Sequence, residues 1–443
     1  MKVIYMKEEF LHFIWEYQRY NSDELFTIDN QTVYVIHPGK HNHHDGPDFL
    51  NATLRIGDEL WKGSVELHID GKDWYQHQHH KDSNYSNVIL HVVYSNGVTT
   101  KNGGGNLIPT LELNGKIPLH LFHKFDQLKA NTSVVACSNH IQDIDEFILL
   151  AWKERLVAER LESKVADFEY LIERQNGDWE GAFFHILTKN FGLYANLDAF
   201  ELLAESIDFR ILLKHRHNLL ELEALLFGQA GMLDRTFKEE YPLALQKEYR
   251  YLKKKYKLKS IPASYWRFKQ LRPLSFPTVR IAQLANLFHL ATPLLTTFHE
   301  HEDPLAILRK IGVSDYWKTH FTFEQAATNS KKRIGADFGS TLIINAFIPT
   351  IFAMGKATGV PDLCIQAIEY LQVLPPETNR KTNLWKRLDV HCKDAADSQA
   401  IIQLVNHYCI PRKCLHCPIG CQILKIDNNE PPRQLQEPEI HYN

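Results

Sequence analysis

The feature that most constrains this chain is a change of hydrophobic rhythm near residue 135. Before it, short runs rich in strand-forming residues alternate with turn residues. After it, apolar side chains return every three or four positions. A strand buries alternate residues and a helix buries a stripe, so a chain carrying the two rhythms in succession is expected to be α+β. Residues 1–135 should form a mixed α/β domain and residues 136–405 a mainly helical one.

In the first part a helix is expected from Lys7 to Tyr20. Strands are expected at Thr32–Ile36, Asn51–Ile56, Ser64–Ile69, Val88–Tyr94 and Leu107–Leu113, each bounded by Gly, Asn, Asp or Pro. In the second part Phe147, Leu150, Ala151, Leu156, Ala158, Leu161 and Val165 trace an amphipathic helix. Similar patterns cover Trp179–Phe191, Leu219–Phe227, Val279–Leu290, Leu342–Met354 and Asp362–Leu371. No fixed-period repeat is visible. A Cys-rich knot at 406–427 and a tail at 428–443, rich in Glu, Pro and Gln and expected to be disordered, complete the layout.

Hydrophobic residues make up 44% of the chain and charged residues 23%, enough for a real core. The net charge of −3 names no partner, so local patterns must. The opening residues carry no secretory apolar core. The apolar stretch Thr341–Met354 is interrupted by Asn345 and Pro349, reads as a buried helix, and is too short to span a bilayer. No membrane association and a cytoplasmic location are therefore expected. Seven cysteines, four of them between Cys409 and Cys421, suggest a reducing compartment and one metal-binding knot rather than a disulfide framework.

Nine of the 24 histidines lie between His37 and His91, where an even spread would put about three. Imidazole and carboxylate bind metals and also move protons near neutral pH. Strand parity sorts the candidates. Val65, Leu67 and Ile69 share one face of their strand, while Glu66 and His68 share the other. His91 lies mid-strand, opposite Leu90 and Val92. The Gly57-Asp58 turn folds the preceding strand back and brings Asp48 beside His68 and Ile69. The simplest hairpin register, however, sets Asp48 on the apolar face unless the strand twists or bulges there. His77 and His79 belong to a second cluster, expected in a loop or short turn from which both could reach a metal. His41, His43, His44 and His80 read as solvated loop residues.

Residues 247–280 carry eleven cationic side chains against one acid, Glu248, with Tyr249, Tyr251, Tyr256, Tyr265 and Trp266 interleaved. Such a surface would attract phosphates and stack bases. Lys254, Arg267, Arg272 and Arg280 are the expected substrate contacts. At the other end, Cys409-x4-Cys414-x2-Cys417-x3-Cys421 has the spacing of a metal site, with His407 as an alternative to Cys421. Zinc and an iron–sulfur cluster both fit.

Gly46-Pro47-Asp48 followed by Glu66-Leu67-His68 resembles the PD-(D/E)xK nuclease superfamily, with the helix before and the strand after in that core's order. The resemblance implies a restriction-endonuclease-like domain in which Asp48 and Glu66 hold Mg²⁺ or Mn²⁺. His68 stands where that pattern has Lys and would assist the attacking water, with His91 in support. The implied activity is a metal-dependent phosphodiesterase of nuclease type acting on nucleic acid, and some such nucleases carry a C-terminal iron–sulfur staple. Two other activities remain open. One is a zinc-type hydrolase using His68, His77, His79 and His91; the other is a non-catalytic nucleic-acid-binding or assembly protein. Separately, Gly46-Pro-Asp-Phe49, Gly63-Ser-Val-Glu-Leu-His68, Asp73-Trp-Tyr75, Val88–Val93, Glu223–Gly231, Phe276–Gln283 and Cys414–Gly420 resemble a bacterial family of unknown function, domain-of-unknown-function family 2851. That likeness implies no mechanism.

Overall fold

The computed structural model describes residues 6–425 apart from Glu24, His43 and Glu302, with Asp167 described in its backbone only. His43 and the tail 428–443 lie outside the described residues. The chain divides into two units. The first takes residues up to Trp152 and resumes at Leu404; the second is Lys153–Gln403. The cysteine segment thus belongs with the N-terminal residues rather than standing as a separate knot.

In the first unit, helix α1 spans Glu8–Glu16 and stops short of the expected Tyr20. Gln18, with φ of 48°, turns the chain, and Arg19 N closes the helix end on Ile14 O at 2.8 Å. Phe10, Leu11, Phe13, Ile14 and Trp15 are buried. At about 2 kcal/mol for each large apolar side chain removed from water, they hold α1 firmly in place.

The sheet follows: β1 (Val33–His37), β2 (Lys40–His41), β3 (Phe49–Ile56), β4 (Glu59–Asp70), then helix α2 (Asp73–Gln76), and β5 (Val88–Ser95). The expected strand Leu107–Leu113 is split at Pro109, which has no N–H to give a ladder. The result is β7 (Leu107–Ile108), paired with β6 (Thr100–Lys101), and β8 (Thr110–Glu112) in the main sheet. The main order is β1-β3-β4-β5-β8, with β2 beside β3. β1, β3 and β4 run antiparallel, whereas β4, β5 and β8 are parallel neighbours. Phe49, Leu54, Val65, Leu67, Leu90, Val92 and Leu111 are fully buried. Helix α3 (Leu119–Ala130) brings Phe122 and Phe125 against Phe10.

Among its described residues the second unit is helical, with one two-stranded ribbon formed by His320–Thr322 and Gln325–Ala326. The helix Trp179–Phe191 has the bounds its periodicity predicts. The apolar stretch around Thr341–Met354 lies within a longer helix, Ala336–Thr358, that passes through a π-helical turn at Ile343–Phe347. Its length and composition would allow it to cross a membrane, but 83% of its apolar window is buried inside the protein, as a core helix requires. The chain is α+β, as its two rhythms imply.

Candidate metal and catalytic site

The position of Asp48 depends on one extra residue. Phe49 pairs with Val65, but Ala52 pairs with Gly63, so β3 holds one residue more than β4 between these pairs. This is a β-bulge, and Asn51 adopts a left-handed φ of 59° within it. Without the bulge, the register from Ala52 to Ile56 would set Asp48 opposite Leu67, on the apolar face. With it, Asp48 lies opposite Glu66. The contacts agree: Asp48 N donates to Glu66 Oε2 at 3.0 Å, and Leu67 N donates to Asp48 Oδ2 at 2.9 Å. The bulge overturns the simplest register, which sets Asp48 on the apolar face, and it brings the two carboxylates together.

The other oxygen of Glu66 faces histidines. Glu66 Oε1 lies 3.3 Å from His79 Nε2 and 3.6 Å from His68 Nε2. His68, His77 and His79 each offer a ring nitrogen, and the three nitrogens lie within 4.8 Å of one another. His77 and His79 do not hang from an extended loop. His77 caps α2, and His79 opens a 3₁₀ turn, His79–Lys81, after Gln78 takes a left-handed φ of 62°. Trp74, buried on α2, packs beside His79 and His91, while Tyr85 lies over His79 with ring centroids 3.9 Å apart.

His91 acts behind His68. In the parallel ladder His91 is level with Glu66, and its Nε2 lies 2.9 Å from His68 Nδ1. His91 Nδ1 lies 3.0 Å from Thr100 Oγ1, and with that hydroxyl donating to Val98 O at 3.1 Å the imidazole is the donor to it. In that arrangement His91 Nε2 accepts from His68 Nδ1–H, and His68 Nε2 is the acceptor nitrogen, facing His77 Nδ1 at 3.2 Å. A metal-binding imidazole needs this tautomer, with its other nitrogen fixed by an outer partner.

Burial, reinforced by the neighbouring imidazoles, pushes His68 down to about 2. Burial with His79 takes His91 to about 3. Burial and His77 lower His79 to about 4. These rings are neutral at pH 7, which for His68 and His79 is the state a metal ligand requires. Glu66, 4% exposed, is pushed up to about 9 by burial and then by the like charge of Asp48. A carboxyl so placed is costly as an anion unless a cation accompanies it.

Two site residues were not apparent from the sequence. His12 on α1 stands 3.3 Å from Asp48 Oδ2. Burial works against its charged form, but the Asp48 and Glu8 carboxylates outweigh it and raise its pKa. Glu8, one turn earlier, is raised by burial with a further push from Asp48. The available signal was a lone histidine among Phe10, Leu11, Phe13 and Ile14. His41 is a correction of another kind. It lies in β2, stacked on Phe49 at 4.9 Å, not in a solvated loop.

The remaining candidates lie elsewhere. Lys254, on the helix Glu240–Tyr256, and Arg267 and Arg272, on the loops that follow, are exposed in the second unit. Arg280 is not a surface contact. It is buried in the helix Pro277–Ala291, over the Phe338 ring at 3.4 Å, and bonded to Gln283 Oε1 at 2.9 Å. Cys409 ends a π-helical turn, Cys414 opens a 3₁₀ turn, Cys417 follows it, and Cys421 sits in the helix Pro418–Lys425. His407 is exposed.

A family model described as a protein of unknown function, DUF2851, matches residues 8–380. The chain belongs to this family. The DUF2851 match takes in every histidine and carboxylate of the site but ends before the segment from Leu404 that completes the first unit. No curated protein and no solved structure matches the chain.

Proposed function

We propose that the chain is a metal-dependent hydrolase of nuclease type that cleaves phosphodiester bonds in nucleic acid. The observation that carries this reading is the bulge at Asn51, which spends an extra residue to set Asp48 across from Glu66, two positions before His68. A helix before the hairpin and a parallel strand after it complete the arrangement expected of a PD-(D/E)xK core.

The donor set fits a divalent ion. Glu66 with His68, His77 and His79 would hold it, and so many nitrogens favour Zn²⁺ or Mn²⁺ over Mg²⁺. When bound, the ion would supply charge stabilisation on a phosphate oxygen and a more acidic water. Asp48, across from Glu66, would accept a proton from the attacking water. His12, its pKa raised by the same carboxylate, is placed to return a proton to the leaving oxygen. Exposed His77 marks the side open to substrate. In the second unit, exposed Lys247, Arg250, Lys254, Lys255, Arg267 and Arg272, with Tyr251 and Tyr265, suit a polyanion.

The test is cleavage of labelled single- and double-stranded oligonucleotides by the purified chain with added Mn²⁺, Zn²⁺ or Mg²⁺. Glu66→Ala is expected to cost about a thousandfold in rate while leaving the circular dichroism and melting of the chain unchanged. Full activity in that variant, or no cleavage by the parent chain with any of the three ions, would sink the proposal. The closeness of the three imidazoles favours a second reading, a zinc hydrolase of other substrates with Glu66 as base. Stoichiometric zinc in the isolated protein, with turnover of ester or amide substrates and none of oligonucleotides, would select it.

A further inference from the structure

We propose that the second unit holds a nucleotide pocket, with a nucleobase in a cavity walled by Trp266, Phe268 and Phe323 and its phosphate on Arg235, Arg250 and Lys253. Two cavities lie side by side there. The first, of about 390 Å³, is lined by the turn Ala263–Tyr265, the ribbon at Thr322–Gln325 and the loop that follows the helix Leu219–Gln229. The second, of about 460 Å³, is lined by that loop and the helix Glu240–Tyr256. Asp234 and Arg235 line both, so one short stretch of loop is the wall between them. Each cavity has the size that a small ligand fills.

The two sides of the wall differ in chemistry. On the first, Trp266, Phe268 and Phe323 supply aromatic surface, while Asp234, Thr322 and Gln325 supply polar groups. A flat ring with donors and acceptors along its edge suits such a lining, and a nucleobase is one. The Asp234 carboxylate can accept from an exocyclic amino group of the base. On the second side, Arg235, Arg250 and Lys253 meet a single acid, Asp234. Three cations against one anion match the charge of a phosphate.

The wall is held in place. Gln246 Nε2 donates to Leu233 O and to Arg235 O, each at 2.7 Å, and so clamps it from both ends. The Arg235 guanidinium lies 4.8 Å from the centre of the Phe237 ring, with Nη2 donating to Phe323 O at 3.3 Å. One of its five donors is spent there, and the planar fork keeps others for phosphate oxygens. Trp266 Nε1 donates to Ala230 O at 2.7 Å, which fixes the indole at the other side of the cavity. Gly231, with φ of 68°, lets the chain close: a Cβ there would lie 2.2 Å from Ile261 O. Cations on a solvated face have no such fixtures.

The exposed cations of the second unit suit any polyanion, whereas this pocket takes one nucleotide, as a free monophosphate or as a unit of a single strand. A paired base cannot enter, because its edge and faces are covered in the duplex. Occupancy needs nothing from the first unit; only its service to hydrolysis rests on the proposed function.

The experiment is calorimetric titration of the full chain in EDTA with nucleoside monophosphates, the matching nucleosides and inorganic phosphate. One site per chain is expected, with at least one monophosphate bound about tenfold or more tighter than its nucleoside and than inorganic phosphate. Arg250→Ala should weaken the monophosphate about tenfold and leave the nucleoside unchanged, a split that a folding defect does not produce. Phe268→Ala should weaken both by about tenfold. No binding, a monophosphate held no tighter than inorganic phosphate, or nucleoside affinity that falls in Arg250→Ala would each overturn the pocket. Displacement of the monophosphate by a duplex decanucleotide would overturn it as well. Displacement by the single strand alone identifies the occupant as a unit of a strand, and displacement by neither identifies a free nucleotide; both uphold the pocket. Glu66→Ala should bind the monophosphate as the parent does, which separates failure of the pocket from failure of the hydrolase.

Discussion

Two glutamates, one in each unit, are buried almost equally and do different things. Glu66 is 4% exposed and Glu223 is 1% exposed. Burial raises both, Glu66 to about 9 and Glu223 to about 7. Glu223, on the helix Leu219–Gln229, accepts the Tyr241 hydroxyl at 2.7 Å, and Trp317 Nε1 in turn donates to that hydroxyl at 3.1 Å. Glu223 faces the Tyr241 and Ser314 hydroxyls, not imidazoles. Glu66 faces a second carboxylate and three imidazoles, one of them open to solvent. Burial alone therefore does not mark a site. What marks it is convergent donors together with a way in.

The comparison can be broken most severely at the bulge. Deleting Asn51 restores a regular hairpin and turns Asp48 to the Leu67 side. Hydrolysis is expected to fall about a hundredfold or more, since a catalytic group is withdrawn while Glu66 and its imidazoles stay. Retained activity in a folded deletion variant would remove Asp48 from the mechanism. A smaller effect is expected behind the ligands. His91→Ala strips the group that fixes the His68 tautomer and should weaken metal binding about 10- to 100-fold by calorimetry. Thr100→Val, one step further back, should cost less than His91→Ala, and the reverse order would refute the relay.

The smallest effect separates the two glutamates by pH. The folded Glu223 carboxyl binds its proton more tightly than the unfolded one, about 7 against 4.5. Its contribution to stability is therefore complete below about pH 4.5 and is lost as pH rises through about 7. Between those limits the parent chain should lose on the order of 3 kcal/mol that Glu223→Gln keeps, with hydrolysis unchanged in the variant. Parallel stability profiles for the two proteins would show that Glu223 is ionised throughout.

The large divisions of the fold were legible because period is local. The sheet strands, the helix Trp179–Phe191 and the shared face of Glu66 and His68 all follow from residues a few positions apart. Asp48 was harder, since its side of the sheet depends on one left-handed asparagine that a regular pattern does not anticipate. His12 was missed because its partner Asp48 is distant in sequence, and an isolated histidine on an apolar segment carries no mark of what it will meet. Arg280 misled in the other direction. A cation beside Phe276-Pro277 reads as a loop contact, but the helix starting at Pro277 turns it inward onto Phe338.

The division of the chain into two units also fixes an order of assembly. The first unit draws on both ends of the chain, and the second, Lys153–Gln403, is inserted between them. During synthesis the inserted unit has all of its residues first and can collapse as it emerges. The first unit gains its last packing, the helix Pro418–Lys425 against α3, only after the inserted unit has been made. A ribosome that stops after residue 403 would release a complete inserted unit attached to an unfinished first unit.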